Sequence, residues 1–379
     1  MSKPPSLYAQ NVLRLAYSQQ DLDGQDINIL TEGYSSDSKK ELLSLCETRK
    51  YTPAVARLFI KAQLETKFWR QKLGYYKKRN QQILSLMDQL FLGFQRAGVE
   101  KVALYDNFAA FLLNSDDLEL AASGDFDLCA DESERNGIRN VLATMDFARY
   151  PNPHSTKEFR DFFNGQIGHE PFRINVNFVP LLRYMAPFEV DYNKVFDWGD
   201  LVHFDDSHIR LLKPDSVLYL NLLRISLHSY VRTPDYRLYL DVFNGLRTKP
   251  NWDVIFQWAK HDGMTLRIAA VLQLCSSVFG MSVPVVGGDL NEQEKRFLEK
   301  LSSLLWHEHS KLLKLNPSRA RLVQIEAYSN GRTLASELRA MLMPPMDWVV
   351  RYHGVSGGVA SAYATYYRRF LGWRRKNNA

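Results

Sequence analysis

Cysteine is scarce in this chain. Cys46, Cys129 and Cys275 are the only three, far apart and in no paired spacing. That excludes a zinc cluster of the Cys-x-x-Cys kind and argues against a disulfide framework, so a reducing compartment is expected. The first 25 residues lack the uninterrupted apolar core of a secretory leader. A clean membrane-length run is missing too. Ile268 to Gly288 carries no charge, but Gln273, Ser276, Ser277, Gly280 and Pro284 interrupt it, and it reads as a buried helix followed by a loop. These absences together give the expectation of a cytoplasmic chain with no membrane span. No Walker loop and no Ser-His-Asp elbow is present, and Gly354 to Gly358 is followed by no Lys-Ser or Lys-Thr. The histidines form no ligand pattern: His307 and His309, two apart on a predicted helix, point to different faces. The segment from Asp21 to Glu32 imitates a calcium loop but has Asp26 where the required glycine belongs, so no calcium site is expected.

What is present is the mix of a folded protein, 45% hydrophobic and 24% charged, over a length of one large domain or two to three ordinary ones. The formal charge is +6. Part of it lies in the tail, where Arg368, Arg369, Arg374, Arg375 and Lys376 interleave with Tyr366, Tyr367, Phe370 and Trp373. Such a tail can touch nucleic acid or anionic lipid, but it reads better as a last helix with a solvated face and an aromatic core face. Nucleic acid is therefore not an expected partner.

The pattern along the chain divides it into three parts. Residues 1–97 form a helical N-terminal region, in which the first 40 read as a loosely structured lead-in. Ile83, Met87, Leu90, Phe91 and Phe94 then mark one helix face at spacings of three and four. Residues 98–210 form a mixed α/β core. Within it, Lys101 to Tyr105 and Phe126 to Ala130 are strand-like, Phe108 to Leu113 and 132–145 helical, and Phe172 to Val179 alternates cleanly. Phe172, Ile174, Val176 and Phe178 share one face of that strand, with Arg173, Asn175 and Asn177 on the other. Residues 211–379 return to helices, among them Val217 to Tyr230, Tyr236 to Leu246, Trp252 to His261, Leu266 to Phe279 and Glu292 to Leu315. The fold class is α+β.

The most informative residues are Ser123, Gly124, Asp125, Phe126, Asp127 and Leu128. Asp125 and Asp127 are two apart on a predicted strand, so both carboxylates leave the same side. Gly124 is read as letting the backbone turn tightly into that strand. Two carboxylates projecting together suit Mg²⁺ (or Mn²⁺), which completes its shell with water and substrate phosphates. An Asp-x-Asp alone means little, as Asp21-Leu22-Asp23 shows. Its setting is what raises it: a strand and helix before it, a helix after, and an alternating strand about 45 residues on.

On these residues the chain resembles the bacterial uncharacterised nucleotidyltransferase family, from about residue 40 to 375. The likeness takes in the helical N-terminal region, the Gly-Asp-Phe-Asp-Leu strand, and His228, Arg237, Asp241 and Trp252 in the helices after Leu212. It also takes in the late MPPMDWVVRYHG turn and YYRRFLGWRR helix. The resemblance implies metal-dependent transfer of a nucleoside monophosphate from an NTP to a small-molecule or protein acceptor. Asp125 and Asp127 would be catalytic and hold the metal, with Asn175 or Asn177 completing its shell. Ser123, Gly124, Asp106, Asn107, His228, Arg237 and Asp241 would face the nucleotide. The chain departs from the family where a Lys-Gly pair usually stands, having Tyr105 and Asp106 with Asn107 next, and where an Arg usually precedes the Gly-Asp, having Ala121 and Ala122. It also has asparagine where a third acidic residue is expected. The alternative is a degenerate core that binds a nucleotide or a protein partner. Asp106, Asp116, Asp117, Glu170 and Asp191 are the carboxylates that would decide between the two if one of them reached the pair.

Overall fold

The structure is a computed structural model. It describes residues 6–17, 22–105, 107–114, 119–122, 124–150, 160–178, 201–204, 207–227, 235–262, 264–284 and 358–376, with single positions between 292 and 350. The chain divides into two compact units whose segments interleave. One comprises residues 1–81, 110–123 and 217–329, the other 82–109, 124–216 and 330–379.

The first unit is helical. It begins with α1 (Leu7–Ala16), α2 (Gly24–Glu32), α3 (Ser36–Arg49) and α4 (Thr52–Lys61), followed by the first half of the long α5 (Thr66–Arg96). The first 40 residues are therefore not a loose lead-in, and the correction has a local cause. Ser6 caps α1 by accepting from the Ala9 backbone. Asp23 and Asp26 form a reciprocal capping box on α2, and Ser35 and Ser38 do the same for α3. Of the acids that imitated a calcium loop, Asp23 is thus a helix cap, and Asp26, which stood in place of the glycine, completes its capping box. Ala9, Val12 and Leu13 of α1 are buried, so the polar composition hides a narrow apolar stripe.

The same unit continues with most of α8 (Pro214–Leu227), then α9 (Asp235–Arg247), α10 (Trp252–His261) and α11 (Thr265–Phe279). The ring of Phe279 packs against Tyr17 at 4.7 Å and Tyr239 at 4.6 Å, which joins α1, α9 and α11. Gly280, at φ 68°, ends α11 in a left-handed cap, and Arg14 donates to the carbonyls of Ser277 and Val278. The charge-free stretch is thus a buried helix. Among the described residues no helix is long and apolar enough to cross a membrane. The predicted helix from Glu292 to Leu315 lies almost wholly outside the described residues.

The second unit holds the sheet. Its strands are β1 (Val102–Leu104), β2 (Asp125–Ala130), β3 (Ala148–Arg149), β4 (Arg160–Ile167), β5 (Glu170–Asn177), β6 (Val202–His203) and β7 (Arg210–Leu211). They order as β3-β4-β5-β2-β1-β7-β6, with β2 parallel to β5 and antiparallel to β1. The short α6 (Asn107–Leu112) begins at the end of β1, and α7 (Arg135–Thr144) follows β2. The expected strand-helix-strand-helix-strand order is present, and β1, β2 and β5 lie side by side. Ala148–Arg149 and Arg160–Ile167 add what the sequence did not reveal, the strands β3 and β4. Gly168, at φ 60°, makes the turn between β4 and β5.

The two faces of this sheet differ. Phe126, Leu128, Ile174 and Val176 are buried on one of them, and Asp161 of β4 lies opposite Val176. α7 covers that face. Arg139 donates from Nε and Nη2 to the two oxygens of Asp161, at 2.7 and 3.1 Å, while Arg149 lies 3.0 Å and Arg135 3.7 Å from the same carboxylate. The helix comes close because glycines admit it: a Cβ on Gly137 would fall 2.6 Å from a Val99 methyl. A further cluster of Val349, Ala362 and Tyr366 anchors α12 (Val359–Lys376), with Tyr363 and Tyr367 packed beside it. Tyr366 and Tyr367 thus lie on the core side, as the pattern suggests for them, while the side chains of Phe370 and Trp373 lie outside the described residues.

Candidate functional site

The opposite face of the sheet carries the carboxylates. β2 and β5 run parallel in a register that sets Asp125 beside Arg173, Asp127 beside Asn175 and Cys129 beside Asn177. β4 extends the rows, with Asn164 beside Arg173, Phe162 beside Asn175 and Arg160 beside Asn177. Paired residues on adjacent strands share a face about 4.8 Å apart, so these nine side chains form a grid rather than scattered points. The grid follows from sequence alternation, because the intervening residues of β2 and β5 are apolar and face α7.

Within the grid the environments differ. Asp125 is half-buried, whereas Asp127 is only 7% exposed. Asn175 donates from Nδ2 to Asp125 Oδ2 at 3.2 Å, tying the amide to the carboxylate row. Its Oδ1 is buried and finds no donor among the described residues. Asn177 lies deeper and fully buried, donating to the Leu128 carbonyl at 3.2 Å. It stitches β5 to β2, and its Oδ1 is likewise without a donor among the described residues. A buried acceptor left unsatisfied costs about 1–3 kcal/mol, so two of them on one sheet face are an unusual concentration. Beside Asn177, burial pushes the Cys129 thiol well up, and it points its Sγ at the Ala103 carbonyl.

The donor set is oxygen only: the carboxylates of Asp125 and Asp127 and the unsatisfied Oδ1 of Asn175. Such hard oxygens fit Mg²⁺ or Mn²⁺ and not a soft metal. Which end of the amide is oxygen is assigned from its contacts, and a half-turn about its last bond would aim Oδ1 toward Asp125. Among the described residues no three acids, histidines or cysteines gather as a metal group. Glu170 does not supply the third carboxylate. It pairs with Ile167 at the far end of β5, is exposed, and has the opposite parity to Arg173. It therefore faces away from the pair and lies about 10 Å beyond the Asp125 row. Asp106, Asp116, Asp117 and Asp191 lie outside the described residues, as do Ser123 and His228.

Asn107 opens α6 just after β1. Gly124 immediately precedes β2, but its φ is ordinary and a Cβ there would meet nothing within 4 Å. The chain bends at Gly124 as it enters the strand, and the residue leaves open space beside it. Arg237 and Asp241 are on α9, both buried, within the helical unit. Sequence reasoning placed Arg173 on the polar face but passed over Arg160 and Phe162 of β4 and Tyr150 just after β3, since it did not see those strands. The signal was present in RDFFNGQI, where Arg160, Phe162, Asn164 and Gln166 alternate with Asp161, Phe163, Gly165 and Ile167.

A groove of about 620 Å³ between α5 and α7 is lined by Gln89, Gly93, Arg96, Asn140 and Thr144, with no carboxylate. It has no donor set for a divalent cation. Comparison of the chain with protein families, with curated proteins and with solved structures finds no match in any of the three.

Proposed function

We propose that the Asp125–Asp127 face binds a divalent cation with the phosphates of a nucleoside triphosphate, and transfers the nucleoside monophosphate to an acceptor. The observation that carries this reading is the register of β2 against β5, which sets Asn175 and its unsatisfied Oδ1 beside Asp127. The likeness to the bacterial uncharacterised nucleotidyltransferase family, and the adjacency of β1, β2 and β5, support it. Asp125, Asp127 and Asn175 would hold the cation, which when bound neutralises phosphate charge and orients the phosphate chain.

The chain's own groups divide the remaining work. An acceptor oxygen forms a bond to the α-phosphorus while the bond to the bridging oxygen breaks and pyrophosphate leaves. The proton of the acceptor hydroxyl goes to a carboxylate oxygen of Asp125, the less buried of the pair, because the amide of Asn175 cannot take it. Asn177 holds the two strands in register through the Leu128 carbonyl.

A second reading, nucleotide binding without turnover, is favoured by one observation. Asn175 stands beside Asp127 where a third carboxylate would add charge, and no acidic group replaces it among the described residues. Pyrophosphate release from NTP and Mn²⁺, compared between the native chain and an Asp127→Asn control, separates the two. Release above the control supports transfer. Equal release, with nucleotide binding retained in the native chain, supports binding alone.

A further inference from the structure

The carboxylate face also carries two arginines that meet no acidic group among the described residues. Arg173 stands beside Asp125 in the register, is exposed, and makes neither an ion pair nor a hydrogen bond among the described residues. Its one contact is with the Tyr150 ring, 5.5 Å from the guanidinium carbon to the ring centre. Arg160, at the far corner of the grid, has its Nε buried with no acceptor. Two guanidinium groups without acceptors, on a face that offers two carboxylates, leave that face able to take an anion as well as a cation. On the other face the contrast is plain, since Arg139 and Arg149 pair with Asp161, and Arg135 pairs with Glu132 and lies 3.7 Å from Asp161.

The aromatic residues lie in line with this. The Tyr150 backbone N–H donates to the Phe162 carbonyl, which extends the row Asp127–Asn175–Phe162 by one strand. The rings of Tyr150 and Phe162 lie 5.8 Å apart, and both are half-buried, so part of each remains open. Three strand spacings separate Tyr150 from Asp127, about 14 Å. A nucleotide with its phosphates at the carboxylate end reaches that far with its base.

The geometry points to a nucleotide subsite in which Arg173 grips the phosphate chain and the Tyr150–Phe162 pair stacks the base. This rests on the nucleotide reading above and deepens it: Arg173 supplies the phosphate cation that the missing Lys-Gly pair at Tyr105 and Asp106 would have given. Guanidinium groups pair two donors with phosphate oxygens, and base stacking on rings tolerates any base.

The test uses the full chain in titration calorimetry with two probes, ATP and inorganic triphosphate, each with Mn²⁺ and with chelator. Arg173→Gln is expected to weaken both probes by about tenfold or more while leaving Mn²⁺ binding alone unchanged, with Arg173→Lys recovering part of the loss. Tyr150→Ser is expected to weaken ATP by about tenfold and leave triphosphate unchanged. Arg173 is exposed, so matching melting curves will show that neither variant is misfolded. Native affinity for triphosphate in Arg173→Gln overturns the phosphate grip, and a Tyr150→Ser effect on triphosphate overturns the base platform. If the native chain binds neither probe under either condition, the subsite is rejected. If Arg173-dependent binding persists with no effect of Mn²⁺, the metal reading fails and the subsite stands. If Mn²⁺ promotes nucleotide binding that Arg173→Gln leaves intact, the reverse holds.

Discussion

Asp127 and Asn175 meet because two parallel strands put side chains of equal parity on one face, and each residue is there through its own strand's alternation. Replacing Asp127 by Asn removes one negative charge from the pair. Mn²⁺-dependent nucleotide binding should be lost, with little change in the denaturant midpoint, because the amide keeps the size of the carboxyl. Unchanged binding in calorimetry would remove the pair from the mechanism. Asn175→Asp works in the other direction. One added charge at about 4 Å from a divalent ion is worth several kcal/mol at an effective dielectric of about 20, before desolvation offsets part of it. Mn²⁺ affinity should rise at least about tenfold. Without metal the variant should melt lower than the native chain, since it loses the Asn175–Asp125 hydrogen bond and crowds three carboxylates. Added Mn²⁺ should restore the melting temperature by mass action. A variant equally stable with and without Mn²⁺ would show that Asn175 does not face the ion.

These residues were legible because two positions of equal parity on a short strand need no tertiary information. Arg173 was legible as a member of the polar face but not as an arginine without an acidic partner among the described residues, because only the structure shows what surrounds it. Arg160 and Phe162 were harder to read, because their strand puts charged and aromatic residues on both faces, so its alternation marks no purely apolar side. Tyr150 lies one residue beyond β3 and has no strand pattern of its own.

At the scale of elements, β4 is held by charge on the face that α7 covers and offers polar groups on the other. Asp161 is 2% exposed and answers three arginines from α7 and β3. Removing it leaves guanidinium groups around an empty position, the case in which breaking a buried pair is costly. Because Arg139 and Arg149 keep substantial exposure, the lower end of that range applies, and Asp161→Ala should lose about 3 kcal/mol in urea unfolding. A loss below about 1 kcal/mol, the worth of surface ion pairs, would mean that apolar packing alone docks α7. The contrast with Asp127→Asn is the useful comparison, since Asp161 is ringed by three arginines and Asp127 is the acid that the proposed function assigns to binding. The same scale explains which elements sequence reading found. β2, β5 and α11 have apolar periods strong enough to survive alone, whereas α1 and α2 owe their existence to caps and to partners distant in sequence. The composition of residues 1–40 reports solvent exposure of most of each helix and conceals the narrow buried stripe.

For the whole molecule, the scarcity of cysteine becomes a testable property. Cys46 and Cys275 in the helical unit and Cys129 in the sheet are all fully or almost fully buried, and desolvation pushes each thiol well up. The folded chain holds the thiol protons more tightly than the unfolded chain, whose thiols ionise at about 8.5. Their contribution to stability is therefore fully present below about pH 8.5 and declines as pH rises above it, since ionisation then favours the unfolded state. Buried tyrosines act in the same sense at higher pH: burial and Glu65 push the Tyr34 hydroxyl up to about 12. The chemical consequence is inertness, because the thiolate is the nucleophile and none of the three forms readily in the folded state. A thiol-reactive chromogenic disulfide at about pH 8 should leave all three unmodified in the native chain and count three in denaturant. In parallel, the urea midpoint should fall between about pH 8 and pH 10, beyond any drift seen in a variant with all three cysteines replaced by alanine. A native thiol that reacts at the rate of a free one would place it at the surface and deny its burial, and a flat midpoint across that window would deny the coupling of the thiols to folding.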